Sequence, residues 1–233
     1  MAYVFTDDEI KEVASRFPNL FWKPLIGLWE GRIDFFAQYK SIAIEDSYEI
    51  EIMIPENYPR DIPVLRVKQE RLIGIMKRHK ILDLRELHYS KTNACLCVKQ
   101  EEKSLFPIGS SLSFFIENLV IPYLYGLSCY DKYGKWPWTT YSHGCLGLLE
   151  YYSLRTNNSS KQEIEEIASL FRKDIGWKEY CRQIRKPSPD RNCVCGSHKP
   201  FQKCHKNAWE GVLQLRLHLE NLKLNPRKLF QRN

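Results

Sequence analysis

Three cysteines and a histidine between positions 193 and 205 constrain this chain more than any other feature. Cys193-Val194-Cys195-Gly196-Ser197 followed by Cys204-His205 places three thiols and an imidazole within 13 residues, a stretch too short to enclose a hydrophobic core but long enough to enclose a metal ion. A free thiolate is costly, whereas a dication binds it deprotonated and closes the loop around itself. Gly196 gives the backbone the freedom to turn sharply there. The set Cys193, Cys195, Cys204 and His205 therefore predicts a structural, tetrahedral zinc.

The chain has 233 residues, 43% hydrophobic and 27% charged, which suffices for one core of about 100–150 residues and an appendage. No run approaches the roughly 18 uncharged apolar residues of a membrane span. The start, Met1-Ala2-Tyr3-Val4-Phe5-Thr6-Asp7-Asp8-Glu9, lacks the basic and apolar segments of a signal peptide. A membrane or secreted protein is not expected. Eight cysteines are too few for a disulfide scaffold, and several crowd into two short stretches, which points to metal or thiol chemistry in a reducing compartment, the cytoplasm. The net charge of +7 is uneven. Residues 155–233 hold 17 Lys and Arg against 8 Asp and Glu, while residues 1–154 hold 18 against 20. Such a basic tail suits nucleic acid, an acidic partner, or simple solvation.

Thr6 and Glu9 have the spacing of a capping box, and Ile10, Val13, Ala14 and Phe17 continue at helical spacing until Pro18. Tyr48 to Ile54 alternates polar and apolar residues, the pattern of a strand with one buried face, and Pro63-Val64-Leu65-Arg66-Val67 reads as the next strand. Pro55-Glu56-Asn57-Tyr58-Pro59 between them predicts a rigid turn. Residues 70–109 read as irregular. Leu112, Phe115, Ile116, Leu119, Val120 and Tyr123 share a helical face, with Pro122 expected to kink or shorten the helix. Helices are expected over 144–152 and 161–173, separated by the turn-like Thr156-Asn157-Asn158-Ser159-Ser160. Arg185 to Asp190 has linker composition, so a boundary is expected near 186–190. Trp209, Val212, Leu213, Leu217 and Leu224 then outline a terminal amphipathic helix.

The segment from Arg191 to His205 closely resembles the SEC-C zinc motif. The resemblance implies a structural zinc whose four positions are filled by protein, hence docking rather than catalysis at the metal, with Lys199, Phe201 and Lys203 facing outward.

Cys95 and Cys97 lie in the turn-rich stretch Ala94-Cys95-Leu96-Cys97-Val98, with His88 upstream and His143 in Tyr141-Ser142-His143-Gly144 downstream. Buried cysteine is common as a small apolar side chain, but a thiol nucleophile needs a lowered pKa or a nearby base, and two histidines are candidates. The order of pieces over residues 5–127 is similar to the ubiquitin-conjugating enzyme fold: an N-terminal helix, strands around Tyr58-Pro59 and Pro63, then His88, Cys97 and a long helix. The resemblance implies an α+β fold, a ubiquitin-conjugating-enzyme-like antiparallel sheet with flanking helices, followed by a small zinc-binding SEC-C element. It divides the chain into a core at 1–127, a helical extension completing the active site at 128–186, and the zinc motif with its terminal helix at 187–233. Cys97 takes the acceptor's place, Cys95 is an additional thiol serving as relay, resolving group or filler, and His88 holds the active-site turn.

His88-Tyr89-Ser90 stands where that family has His-Pro-Asn, so the amide that would stabilise the oxyanion is missing. The downstream Tyr133-Gly134-Lys135-Trp136-Pro137-Trp138 and Tyr141 to Gly144 resemble divergent bacterial conjugating-enzyme-like proteins, which implies His143 as the group facing the thiol. The implied chemistry is a cysteine-dependent acyl transfer: a protein C-terminus is held as a thioester and passed to a lysine. No Walker-type phosphate loop is present, so activation must come from elsewhere. The combination with a SEC-C end is similar to the conjugating proteins of bacterial antiphage operons of the CBASS type. This implies a donor with a flexible C-terminus, a cGAS-like nucleotidyltransferase, and a lysine-bearing acceptor. Two rivals stay open: an inactive adaptor of the same fold, for which the absent Asn speaks, and a zinc-stabilised nucleic-acid-binding protein built on the basic tail.

Overall fold

The computed structural model describes residues 3–90, 92–154 and 159–231. The fold is α+β, and the chain divides into two compact units, Met1–Thr140 and Tyr141–Asn233.

In the first unit, helix α1 (Asp7–Arg16) starts where its sequence demands it. The Thr6 hydroxyl accepts from the Glu9 amide at 3.3 Å, and the Glu9 carboxylate accepts from the Thr6 amide at 2.8 Å, so two of the helix's orphan donors are satisfied reciprocally. Four strands follow in an antiparallel meander of order β1 (Leu20–Lys23), β2 (Leu28–Tyr39), β3 (Ile42–Met53) and β4 (Val64–Val67). The expected alternation is present in β3, where Tyr48, Ile50 and Ile52 are buried and Glu49 is exposed, but the strand begins six residues earlier, at Ile42. Gly31 sits at φ 140° with the Asn19 carbonyl 2.0 Å from where a Cβ would lie, so only glycine fits this crossing. Trp29, Ile33, Ile50 and Leu65 from the sheet join Phe115 and Leu124 in one core.

Residues 70–109 are less irregular than expected. Gln69–His79 forms helix α2, burying Leu72 and Ile75. Gly74 and the basic run Lys77-Arg78-His79 hide its periodicity in the sequence, yet cations in a last turn complement the helix dipole. Only short helical turns, Leu84–Leu87 and Glu102–Leu105, interrupt the loop that follows. Between β3 and β4 the chain turns through Pro55–Pro59 with a cis Tyr58–Pro59 bond and the Tyr58 hydroxyl donating to the Ser110 carbonyl at 3.2 Å.

Pro122 does not shorten its helix. Leu112–Tyr133 runs continuously for 22 residues as α3, with π geometry over Ile116–Val120 immediately before the proline. Proline removes one donor and crowds the carbonyl four residues back, and a π segment widens the ladder where that happens. Among the described residues this is the one helix long and apolar enough to cross a membrane, and 72% of its apolar window is buried inside the protein, as in a core helix.

The second unit is helical: α4 (Cys145–Ser153), α5 (Lys161–Lys173), α6 (Trp177–Arg185) and α7 (Lys206–Asn221). The turn expected at 156–160 lies outside the described residues at Thr156, Asn157 and Asn158. The boundaries expected at 127/128 and near 186–190 meet a different division. The first falls inside α3, and the second falls inside a unit in which Cys193 and Phe201 share a core with Leu148 and Ile184. Residues 186–191 are a tied turn: the Ser188 amide donates to Gln183 Oε1 at 3.2 Å and Arg191 Nη1 to the Lys186 carbonyl at 3.3 Å. Helix α7 is amphipathic as expected but rotated. Trp209, Val212, Leu215 and Leu219 are buried, whereas Leu213 and Leu217 are 44% and 55% exposed.

Candidate metal centre and thiol loop

The four residues singled out by spacing come together. The ligand atoms of Cys193, Cys195, Cys204 and His205 lie within 4.8 Å of one another, with Cys193 Sγ 3.1 Å from His205 Nδ1 and Cys195 Sγ 3.6 Å from Cys204 Sγ. The backbone explains why. Cys193 N donates to Lys199 O and Phe201 N to Arg191 O, both at 2.8 Å, closing a narrow loop that reverses at Gly196, φ 82°. A single helical turn, Phe201–Cys204, then carries Cys204 and His205 back to the first two thiols. Tetrahedral zinc at ordinary bond lengths spaces its sulfur and nitrogen ligands by about 3.5–3.8 Å, so this donor set is compatible with zinc, with all four positions supplied by protein. The Ser197 hydroxyl lies 3.1 Å from both Cys195 Sγ and Cys204 Sγ, within hydrogen-bond reach of each sulfur.

One residue of this segment is placed otherwise than expected. Lys199 and Lys203 are exposed, but Phe201 is fully buried, its ring 6.0 Å from that of Trp209. A single helical turn cannot bring both ligands inward without turning Phe201 onto the core beneath it.

The second candidate is the loop carrying Cys95 and Cys97 in the first unit. Ala94 N donates to Leu65 O at 2.9 Å and Cys95 N to His88 O at 2.7 Å, which fixes the loop to the end of β4 and to the turn at His88. His88 adopts a left-handed conformation, φ 48°, and its ring meets Trp136 edge-on at 4.9 Å. Tyr89 is buried, its hydroxyl accepting from Val67 N at 3.3 Å and donating to Thr92 O at 3.1 Å. Ser90 Oγ accepts from the Asn93 amide at 2.9 Å, a turn-forming role rather than that of an oxyanion donor. Tyr89 and the acids Glu101 and Glu102 are neighbours of the thiol loop that spacing did not reveal.

Cys95 is the more exposed thiol and Cys97 is half-buried against the core. Cys95 Sγ nevertheless turns toward the Cys97 carbonyl, 3.8 Å away, and burial of the sulfur, then Glu102, raises its pKa. Burial pushes the Cys97 thiol up to about 12, with Glu102, Cys95 and Glu101 adding to the push and Lys99 opposing it. The resting loop holds its thiols protonated, the reverse of the lowered pKa expected of a self-activated nucleophile. His143 belongs to the second unit, just ahead of α4, and Cys97 to the first.

A raised thiol pKa means little thiolate at neutral pH and more with each step toward the pKa. Iodoacetamide labelling of Cys97, followed by peptide mapping, is therefore expected to rise about tenfold per pH unit from 7 to 9. A profile that levels off below pH 8 would show an activated thiol instead.

No protein-family model matches the chain, and neither does any curated protein or any solved structure.

Proposed function

We propose that the first unit is a cysteine-dependent acyl transferase of the ubiquitin-conjugating kind and that the second is organised by a SEC-C-like structural zinc. The observation that carries this reading is the pair Cys95 and Cys97, two residues apart, on a loop pinned by backbone hydrogen bonds to β4 and His88. Such a loop holds the two cysteines at a fixed place near the surface. Cys97 takes the incoming acyl group, and Cys95 beside it serves as a relay or resolving thiol. The donor's C-terminus arrives already activated as a thioester on a separate activating protein; the attacking cysteine displaces that protein's thiolate from the carbonyl, and the proton lost by the attacking thiol goes to the released thiolate. A lysine amine then displaces the cysteine thiolate and forms the amide. Because the resting thiols are protonated, the donor complex must supply the base. The donor follows from the resemblance: a flexible protein C-terminus, that of a cGAS-like nucleotidyltransferase in antiphage defence, with a lysine-bearing acceptor.

The test is acylation of the full chain by a peptide carrying a C-terminal thioester, read by intact mass. A hydroxylamine-labile adduct is expected, reduced about tenfold or more in Cys97→Ala and absent when Cys95→Ala is added. No adduct above that of the urea-unfolded chain, or one that survives both substitutions, would leave the adaptor reading in its place.

A further inference from the structure

Helix α6 carries a solvent-facing row of cations with no part in either site. Lys178, Arg182 and Arg185 stand at i, i+4 and i+7, so they share one face, and all three are exposed together with Lys186. Tyr180, Cys181 and Ile184 are buried on the opposite side. The row is extended at the helix C-terminus by two guanidinium groups from elsewhere in the unit. Arg216 Nη1 donates to the Arg185 carbonyl at 3.1 Å, and Arg191 Nη1 to the Lys186 carbonyl at 3.3 Å. Both are thereby held in place by the carbonyl end of the helix dipole, which favours cations. The second unit as a whole has 17 Lys and Arg against 9 Asp and Glu, whereas the first has 18 against 19.

We infer that this face binds the phosphate backbone of nucleic acid. Four of its six cations are arginines, whose planar forks suit phosphate. The three helical cations are spaced about 6 and 4.5 Å along the axis, close enough together for successive phosphates of one strand, at roughly 3.4 Å of axis each, to lie within reach of their long side chains. Between Lys178 and Arg191 no large apolar side chain is exposed. A protein interface needs a buried aromatic or apolar centre, and backbone binding needs none. The acids on this face are Glu179, 3.7 Å from Arg182, Glu220, 2.9 Å from Arg216, and Asp190, too few to neutralise it. Recognition through phosphates alone carries no base preference.

Fluorescence anisotropy of the full chain with a labelled single-stranded RNA and a labelled DNA duplex tests this. With about four phosphate contacts, affinity for the duplex is expected to fall roughly 100-fold between 50 and 200 mM salt. The double substitution Arg182→Gln, Arg185→Gln is expected to flatten the salt slope by about two and to weaken binding about tenfold or more at 50 mM salt. Lys11→Gln with Lys40→Gln, exposed in the first unit, should change binding by less than about twofold. Absence of binding at 50 mM salt, a slope unchanged by the arginine substitutions, or a polyglutamate peptide bound as tightly as RNA would each overturn the assignment, the last in favour of an acidic protein surface.

Discussion

Replacing Gly211 by alanine is expected to destabilise the second unit by about 3 kcal/mol or more. The alanine Cβ would lie 2.0 Å from the carbonyl oxygen of Leu149 and 2.7 Å from its carbon, both backbone atoms of α4. No rotamer relieves a backbone clash, so α4 and α7 would have to move apart. Their separation would open the packing around Trp209, Val212 and Leu215, which depends on this close approach. In a unit of this size the loss corresponds to a fall in melting temperature of roughly 12–24 °C. Hydrogen exchange reads it locally, as lost amide protection across α4 and α7. Gly74→Ala is the internal comparison. Its Cβ would meet only the tip of the Arg78 side chain at 3.6 Å, so a gain of about 0.5–1 kcal/mol is expected from a better helix former. Equal destabilisation by the two substitutions would show that close packing at Gly211 is not what holds the helices together.

Cys204→Ser is expected to abolish tight zinc binding and to lower the stability of the second unit by several kcal/mol. Cys204 closes the cluster opposite Cys195, and hydroxyl is a poor ligand for a borderline-soft ion that prefers thiolate. A metal held there would join the Arg191–His205 loop to a core through Phe201 and Cys193, both buried, so its loss would reach α7 as well as the loop. Metal analysis of the purified chain should give one zinc per chain, and a chelator should lower the melting temperature of the unsubstituted protein but leave Cys204→Ser unchanged. A chain that melts identically with and without chelator would remove zinc from the account.

The clustering of Cys193, Cys195, Cys204 and His205 was legible because such a loop is a local object. Four donors within 13 residues can reach one point whatever surrounds them, and the capping box at Thr6 likewise involves atoms only three residues apart. The alternation in β3 survives for a related reason: a strand with one wet face must alternate wherever it is placed. Helix α2 was hidden because its buried face needs only Leu72 and Ile75, fewer apolar positions than periodicity can register, with Gly74 between them. Phe201, Leu213 and Leu217 were misplaced because facing is set by a neighbour. Helix α7 turns Gly211 toward Leu149, and that contact carries the exposed leucines outward.

The same division separates the Cys95–Cys97 loop from the Cys193–His205 cluster. Sequence alone determined which residue types cluster, where α1 begins, and that the basic charge gathers toward the C-terminal end. Tertiary structure alone decided that Cys97 is half-buried beside Glu101 and Glu102 with its thiol pushed up, that Arg191 and Arg216 converge on the end of α6, and that Pro122 is absorbed by a π segment. Ligand spacing and helix capping act over a few bonds, whereas desolvation, charge proximity and helix rotation depend on atoms brought together from distant parts of the chain.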